Sequence, residues 1–294
     1  MAPTASSALV NVVDGAELCL VRLLADSAAP GSIRPSFVPD CEACIAHSDA
    51  SQLLKTIVAE QGAIAALVSL DEEGVSAISL LAACLDRVED DSSAKSVLNK
   101  LADSIISISS SASKGGDATA IKKAISLLAT LYNMRSEPTE KVALLVKMIR
   151  HASSQSSLLE AENSVLGKWM DPAQLVSMLD EWKVQPAGRR ELYRAAAEGS
   201  ASQESSKSSL TAKQQFTLLV VETYSKSDVD ASGLKAAKQA AIGAIRDPVS
   251  LFVQQRKILS LPAIQALKSS DGAFRFDLYI SYCSIALLSD SLLM

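Results

Sequence analysis

Two cysteines and a histidine with helical spacing are the residues of this chain best suited to hold a metal ion. Cys41 and Cys44 form a C-x-x-C pair, and His47 follows three residues later. On a helix these side chains fall near one face, where they could supply three zinc ligands. A structural zinc site needs a fourth ligand, and the chain has no second C-x-x-C or C-x-x-H pair. The pattern therefore favours small apolar residues on a buried helix face, and we expect no metal and no cofactor.

Catalysis by histidine has few candidate residues, because His47 and His151 are the only two histidines in the sequence. His151 follows Arg150 near a predicted helix end, where a positive side chain suits the helix dipole. The nucleophile motif G-x-S-x-G, the zinc motif H-E-x-x-H and the dinucleotide motif G-x-G-x-x-G are all absent from the sequence. The sequence therefore predicts no catalytic residue, and we expect a protein that is not an enzyme.

A phosphate-binding loop is the next possibility, and Gly167-Lys168 comes nearest to it. The motif requires Ser or Thr after the lysine and a glycine six positions before it, but Trp169 and Glu162 occupy these positions. The motif therefore fails. We expect Trp169 and Trp182 to anchor helix packing, whereas an exposed tryptophan would indicate a binding hot spot.

Two acidic clusters, at 71–73 and 89–91, flank a predicted helix that begins near Asp71. The first cluster suits a helix N-terminus, and the second is expected to lie in the following turn or to cap the next helix. Paired acid and base work would need a pocket and a perturbed pKa, and the sequence indicates neither. A solvated surface is therefore the expected role of both clusters.

Three arginines, Arg189, Arg190 and Arg194, share one face of the helix predicted after Pro186. This small basic face could contact ribosomal RNA or an acidic partner. The alternative is a solvated or ion-paired face, which the sequence favours. Direct contact with RNA stays open at this level.

These side chains must be positioned by helices, because apolar residues recur with helical spacing almost throughout. The chain has 294 residues, is 48% hydrophobic and is only 4% aromatic. The clearest apolar faces comprise Ile121, Ile125, Leu128 and Tyr132; Val142, Leu145, Met148 and Ile149; and Leu175, Leu179 and Trp182. Each helix exposes a stripe that a neighbour must bury, so we expect an all-α fold of stacked antiparallel helix pairs, without a consensus repeat.

Four sites carry the signals of helix starts. Asp171-Pro172 and Asp247-Pro248 each place an N-cap residue before proline at the first helical position, and Leu261-Pro262 begins a further helix. Thr211 to Gln214 fits a capping box before Phe216, Leu219 and Val220.

Two segments interrupt the helical pattern. Residues 107–119 predict a Ser/Gly loop, and the only strand candidate, Ile106 to Ser110, overlaps it. The Ser-rich segment 199–209 is typical of a flexible linker. It predicts a helical-repeat domain at 1–199, a linker at 200–209 and a second helical domain at 210–294.

Charge and cysteine usage narrow the class of protein. The net charge is −5, which gives no global attraction to nucleic acid. Five cysteines without regular spacing fit a reducing compartment rather than a disulfide framework. The N-terminus lacks the features of a secretory signal or transit peptide, and no apolar run is long enough to span a membrane. We therefore expect a cytoplasmic location.

Three ordered blocks carry a resemblance to a known family: SLLATLYN (126–133), MLDEWKVQPAGRRELYRAAAEG (178–199) and AAIGAIRDPVSLFVQQRKILSLPAIQALK (240–268). In content, order and spacing they resemble the subunit M family of eukaryotic translation initiation factor 3, a group of PCI-domain proteins. Each block alone is a packing pattern, so the specificity lies in the ordered set.

The resemblance implies a right-handed helical-repeat solenoid of the TPR/HEAT-like kind that leads into a PCI domain with a winged helix. It also implies a non-catalytic scaffold that supports small-ribosomal-subunit binding, preinitiation-complex formation and mRNA recruitment. The implied partners are other initiation factor 3 subunits, notably F and H, and the small ribosomal subunit through the complex. No partner-binding residue is identified.

The chain departs from the family after Phe276-Asp277-Leu278, where a long helix and the winged helix should follow but YISYCSIALLSDSLLM ends the sequence. We therefore expect 210–294 to be the helical first part of a PCI domain, truncated, with the winged helix missing or incomplete. Two alternatives stay open: a PCI scaffold subunit of the signalosome or the proteasome lid, and a free-standing helical-repeat adaptor.

Overall fold

The computed structural model describes residues 5–113, 118–153, 166–201, 207–246 and 258–267. Every regular element in these ranges is a helix, and none of the ranges contains a strand. The prediction of an all-α fold is therefore confirmed. The chain divides into two compact units, Met1–Ala152 and Ser153–Met294.

The first unit contains eight helices within its described residues. They are α1 (Ala5–Ser27), α2 (Phe37–Ala46), α3 (Ala50–Ala59), α4 (Gln61–Ser69), α5 (Glu72–Leu85), α6 (Asp91–Ala112), α7 (Thr119–Met134) and α8 (Pro138–Ala152). Neighbouring pairs such as α2 and α3 or α7 and α8 pack together, and helices further apart in sequence, such as α3 and α6, also touch. α4 contacts α1, α3, α5, α6 and α7 and therefore lies at the centre of the unit.

Helical periodicity predicts the buried faces of this unit correctly. On α7, Ile121, Ile125 and Leu128 are buried, and Tyr132 is half-buried. The stripe predicted on α8 is buried throughout its length. Burial of such side chains contributes about 1.5–3 kcal/mol each relative to exposure, so the stripes are the main source of stability here.

The strand candidate and the first half of the predicted Ser/Gly loop are wrong, because α6 continues to Ala112. Serine hydroxyls in this stretch donate back to carbonyl oxygens of the preceding turn, from Ser109 to Ile106 and from Ser111 to Ser107, both at 3.0 Å. These bonds satisfy the serines inside a helix, so a Ser-rich composition does not end it. The remainder of the predicted loop lies largely at 114–117, outside the described residues.

The second unit is also helical in its described parts. A short 3₁₀ helix (Gly167–Met170) precedes α9 (Pro172–Glu181), α10 (Pro186–Ala201), α11 (Lys207–Glu222) and α12 (Ala231–Arg246), and a second short 3₁₀ helix (Ile258–Ser260) precedes α13 (Pro262–Ala266). α10 packs along α11, α11 packs against α12, and α13 contacts both α11 and α12.

Two of the predicted helix starts are confirmed. Asp171 caps α9 by accepting a hydrogen bond from the Ala173 backbone N–H at 2.9 Å, with Pro172 at the first helical position. Pro262 begins α13 at its first helical position, with Leu261 before it and no side-chain capping hydrogen bond. The Asp247-Pro248 start lies outside the described residues.

The capping box predicted at Thr211 is wrong, because α11 begins four residues earlier, at Lys207. Thr211 therefore lies inside the helix, where the backbone N–H groups ahead of it need no side-chain cap. The apolar residues predicted to follow it, Phe216, Leu219 and Val220, are buried as expected.

The boundary between the two compact units falls after Ala152, and the domain bounds predicted around the Ser-rich linker 200–209 stay a prediction. α10 extends to Ala201 and α11 begins at Lys207, so helix covers both ends of that segment; 202–206 lie outside the described residues. The two helices pack on one another within one unit because both carry apolar faces. Among the helices described, none combines the length and apolar content that crossing a membrane requires.

Candidate functional site

The C-x-x-C pair lies on α2, and its first cysteine belongs to the core. Cys41 is fully buried, and burial raises the pKa of its thiol to about 12, with the nearby Cys44 and Asp40 adding to the rise. Burial also raises the pKa of Cys44, which is half-buried. His47 is exposed and stands just beyond the end of the helix. Cys41 therefore acts as a small apolar residue, because a thiol is a metal ligand or a nucleophile only as thiolate.

His151 lies in the last turn of α8, as the sequence predicts, but its charge state differs from the prediction. The side chain is buried, and burial lowers its pKa below the usual 6.5. Its Nε2 atom lies 2.8 Å from the Ser109 hydroxyl oxygen of α6. A neutral imidazole in the core gains nothing from the helix dipole, so the expected role as a cation at the helix end is wrong.

Ser109 and His151 have the residue types of a nucleophile and a base, but the Ser109 hydroxyl also has the Ile106 carbonyl oxygen as a partner, at 3.0 Å. When the hydroxyl donates to that carbonyl, the donor in its contact with His151 is the tautomer that carries hydrogen on Nε2. A base must instead accept the hydroxyl proton. This contact therefore ties α6 to α8, and it could not be predicted from the sequence because 42 residues separate the two side chains.

The acidic clusters serve the helix starts. Asp71 stands at the N-cap of α5, and Asp90 caps α6 by accepting hydrogen bonds from the backbone N–H groups of Ser92 and Ser93. Hydrogen bonds from Ser93 and Ser92 lower the pKa of Asp90 to about 2. The predicted helix start at Asp71 and the capping alternative for the second cluster are thereby confirmed.

The Gly167-Lys168 pair lies in a short 3₁₀ helix that leads into the Asp171 cap. Glu162 lies outside the described residues. Trp169 and Trp182 are both half-buried, so neither is the exposed tryptophan that would indicate a binding hot spot.

Arg189 closes the turn between α9 and α10. Its Nε atom donates to the Val184 carbonyl oxygen at 2.7 Å, and its Nη2 atom donates to the Leu179 carbonyl oxygen at 2.9 Å. The remaining terminal nitrogen pairs with the Asp180 carboxylate. Carbonyl groups at a helix C-terminus lack intrahelical partners, so this arginine satisfies the end of α9.

Arg190 joins α10 to the segment after α11. Its guanidinium lies 3.7 Å from the centroid of the Tyr224 ring. It also donates to the Thr223 hydroxyl at 3.1 Å and pairs with Asp228 at 2.7 Å. Stacking and charge-assisted hydrogen bonding act together here, a geometry for which arginine is suited and lysine is not.

Arg194 completes the set by donating to the Tyr224 hydroxyl, which in turn donates to Asp230 at 3.2 Å. The three arginines thus bind residues of the second unit, which agrees with the prediction of a solvated or ion-paired face. The sequence could not name the partners of Arg190 and Arg194, because they lie 30 to 38 residues from these arginines. Of the three arginines, Arg194 is the one that also lines an open groove.

This groove lies between α10, α11 and α12 and has a volume of about 320 Å³. Its lining includes three cationic side chains, those of Arg194, Lys213 and Lys235, and one carboxylate, that of Glu198. We call it the basic groove. Sequence reasoning missed it because its cations come from three helices and form no local cluster. It is a candidate binding surface, since Lys213 and Lys235 form no ion pair with a carboxylate among the residues that the structure describes.

Comparisons with known proteins do not assign a family. No protein-family model matches the chain, and neither the curated proteins nor the solved structures contain a match. What the chain does must therefore be inferred from its sequence blocks and from the contacts that their residues make.

Proposed function

We propose that this chain is a non-catalytic scaffold subunit of eukaryotic translation initiation factor 3 and corresponds to its subunit M. The observation that carries the proposal is the ordered set of three sequence blocks at 126–133, 178–199 and 240–268. In this proposal the chain joins other subunits, notably F and H, and so supports small-ribosomal-subunit binding, preinitiation-complex formation and mRNA recruitment in the cytoplasm.

The first block supports the proposal through its place in the core. It lies within α7, and its residues Leu127, Leu128 and Leu131 are buried among helices of the first unit. A scaffold family is expected to keep residues that hold helices together, because its function depends on the shape of the helical array.

The second block supports the proposal through the turn between α9 and α10. Pro186 begins α10, and Arg189 and Arg190 bind the preceding helix end and the segment after α11. These residues position helices and carry no reactive group. The block therefore has the character of a packing signature, as a scaffold requires.

The third block is described only in part. Ala240, Ala241 and Ala244 are buried on α12, and the described end of the block forms α13, which packs against α11 and α12. We propose that this region is the helical first part of a PCI domain.

The helical array itself belongs to the same proposal. Within the first unit α3 contacts α5 and α6, α5 contacts α7, and α6 contacts α8. Contacts between helices two and three positions apart are expected when helix pairs stack side by side. We propose a right-handed solenoid of stacked pairs on this basis.

Affinity purification tests the proposed function. The chain carries a tag at its N-terminus, is expressed at native level in its own cells, and its partners are identified by mass spectrometry. Recovery of initiation factor 3 subunits together with small-ribosomal-subunit proteins is the expected result. Recovery of signalosome or proteasome-lid subunits instead, or of none of these assemblies, would overturn the proposal.

A further inference from the structure

The basic groove between α10, α11 and α12 has an ordered geometry. Each helix presents residues one turn apart: Arg194 and Glu198 from α10, Lys213 and Thr217 from α11, and Ser232, Lys235 and Gln239 from α12. Thr217, Val220 and Ala236 are buried and form an apolar floor, while both lysines are exposed at the rim. A volume of about 320 Å³ lies at the lower end of the range for ligand sites, so the groove suits a few side chains.

The basic groove is lined mainly by positive charges, whereas the chain as a whole is negatively charged. Three cations and one carboxylate line it, whereas the whole chain has a net charge of −5. Lys213 and Lys235 form no ion pair with any carboxylate in the described part of the chain. Arg189 and Arg190, by contrast, are each held by an aspartate. The two lysines are therefore available to a ligand of negative charge.

Arg194 is held in place before any ligand arrives. It donates to the Tyr224 hydroxyl, and Tyr224 donates to Asp230. Asp230 also accepts a hydrogen bond from the Gly233 backbone N–H at 2.6 Å, which anchors this chain of contacts on α12. A guanidinium has five N–H donors, so the bond to Tyr224 leaves others for a carboxylate. An oriented arginine loses less side-chain entropy on binding, which favours affinity.

We propose that the basic groove binds an acidic peptide segment of a partner protein, with carboxylates on Arg194, Lys213 and Lys235 and a small aliphatic side chain on the floor. The floor of Val220 and Ala236 favours a peptide over a nucleic acid. Binding of single-stranded nucleic acid uses aromatic side chains as stacking platforms, and no aromatic residue is among those that line the groove. The inference goes beyond the scaffold role and does not depend on which complex the chain joins.

A labelled peptide tests the proposal with the full chain. The probe is fluorescein-labelled Glu-Val-Glu-Glu-Val-Glu, and its fluorescence anisotropy is followed at increasing protein concentration. We expect saturable binding that weakens as salt rises from about 50 mM to about 300 mM, because the contacts are between charges at a surface. The same peptide with glutamine in place of glutamate is expected not to bind.

Two charge variants locate the site. The double variant Lys213→Gln/Lys235→Gln removes two of the three cations and should weaken binding by about tenfold or more. The matched control is Lys95→Gln/Lys100→Gln, which makes the same charge change at exposed positions of α6. All four lysines are exposed, so both variants should fold, which circular dichroism checks. The control variant should bind like the original chain.

Zero-length carbodiimide coupling gives an independent readout. The peptide's carboxylates should form amide bonds with Lys213 or Lys235, with loss of water, and peptide mapping should locate them. Three results would overturn the proposal: no saturable binding by the original chain, equal weakening in both double variants, or tighter binding of a single-stranded RNA oligonucleotide than of the peptide.

Discussion

Glu17 illustrates at the residue scale how this fold accommodates charge. This carboxylate residue lies on α1 in the core of the first unit, and only 4% of its surface is exposed. Arg87 pairs with its carboxylate, and the Cys84 thiol donates to it at 3.4 Å. A buried carboxylate without partners would cost several kcal/mol, so the pair holds α1 to the end of α5. Seventy residues separate Glu17 from Arg87, and for that reason the sequence could not predict the pair.

His151 should make the stability of the chain depend on pH. Burial lowers its pKa in the folded state, so the unfolded state binds the proton more readily. The stabilisation is complete above the unfolded pKa of about 6.5 and decreases as the pH falls toward the folded value. The carboxylates whose pKa values are lowered, such as Asp90 and Asp228, act only at lower pH.

The variant His151→Gln isolates this effect because glutamine can still donate to Ser109. Between about pH 7 and about pH 5, we expect the free energy of unfolding to fall for the original chain and to change less for the variant. Urea denaturation at several pH values measures both slopes. Identical slopes would show that His151 is not the titrating group.

Gly233 is a second residue on which packing depends. A Cβ atom at this position would lie 2.9 Å from carbons of the Tyr224 ring. The ring cannot easily move, because Arg190 stacks on it and Arg194 and Asp230 hold its hydroxyl. We expect Gly233→Ala to destabilise the protein by about 1–3 kcal/mol, as overpacking does.

The matched control is Gly15→Ala on α1, where a Cβ atom would meet nothing within 4 Å. In a helix this change should leave stability unchanged or raise it by about 0.5–1 kcal/mol. Thermal melting of both variants makes the comparison. Equal effects of the two substitutions would contradict the packing account of Tyr224.

At the scale of elements, helix ends decide how the segments turn. Two helices end with a residue in the left-handed conformation: Ser48 after α2, with φ of 55°, and Lys183 after α9, with φ of 51°. In both, the next N–H bonds back to the helix, from Asp49 to Cys44 at 3.0 Å and from Val184 to Leu179 at 3.1 Å. Glycine is the usual residue at this position because it adopts positive φ without strain.

Lys183→Gly and Ser48→Gly should therefore stabilise the chain by about 0.5–1 kcal/mol each, through relief of strain at positive φ. The matched control is Lys122→Gly at an exposed position inside α7, where glycine should cost about 1 kcal/mol. Chemical denaturation gives the three values. Destabilisation by all three substitutions would contradict the assigned helix ends.

Sequence patterns predict which segments are helical better than they predict where each helix begins and ends. The apolar stripes of α7 and α8, the start of α5 at Asp71 and the cap at Asp171 follow from local rules of spacing and hydrogen bonding. The start of α11 and the length of α6 do not follow from these rules, because both lie in Ser-rich segments and serine favours turns in a sequence-based prediction. Serine is compatible with either state, and contacts with the neighbouring helix decide between them.

At the scale of the whole molecule, the sequence predicts the local features of the candidate site but not the contacts between distant segments. The sequence placed Arg189, Arg190 and Arg194 on one helix face, which is local information. Their partners on α9 and around Tyr224, and the meeting of Arg194 with Lys213 and Lys235, depend on how distant segments pack. The boundary between the compact units, after Ala152, likewise depends on which helices pack together, and α10 packs along α11 within the second unit.

The central claim is that this chain is a scaffold subunit of initiation factor 3, and the mass of a reconstituted complex tests it most directly. The chain, of 31.0 kDa, is co-expressed with the F and H subunits, and size-exclusion chromatography with light scattering gives the mass of each species. The account predicts one species that contains all three chains in equal amounts. Elution of this chain alone, while F and H remain together, would contradict it.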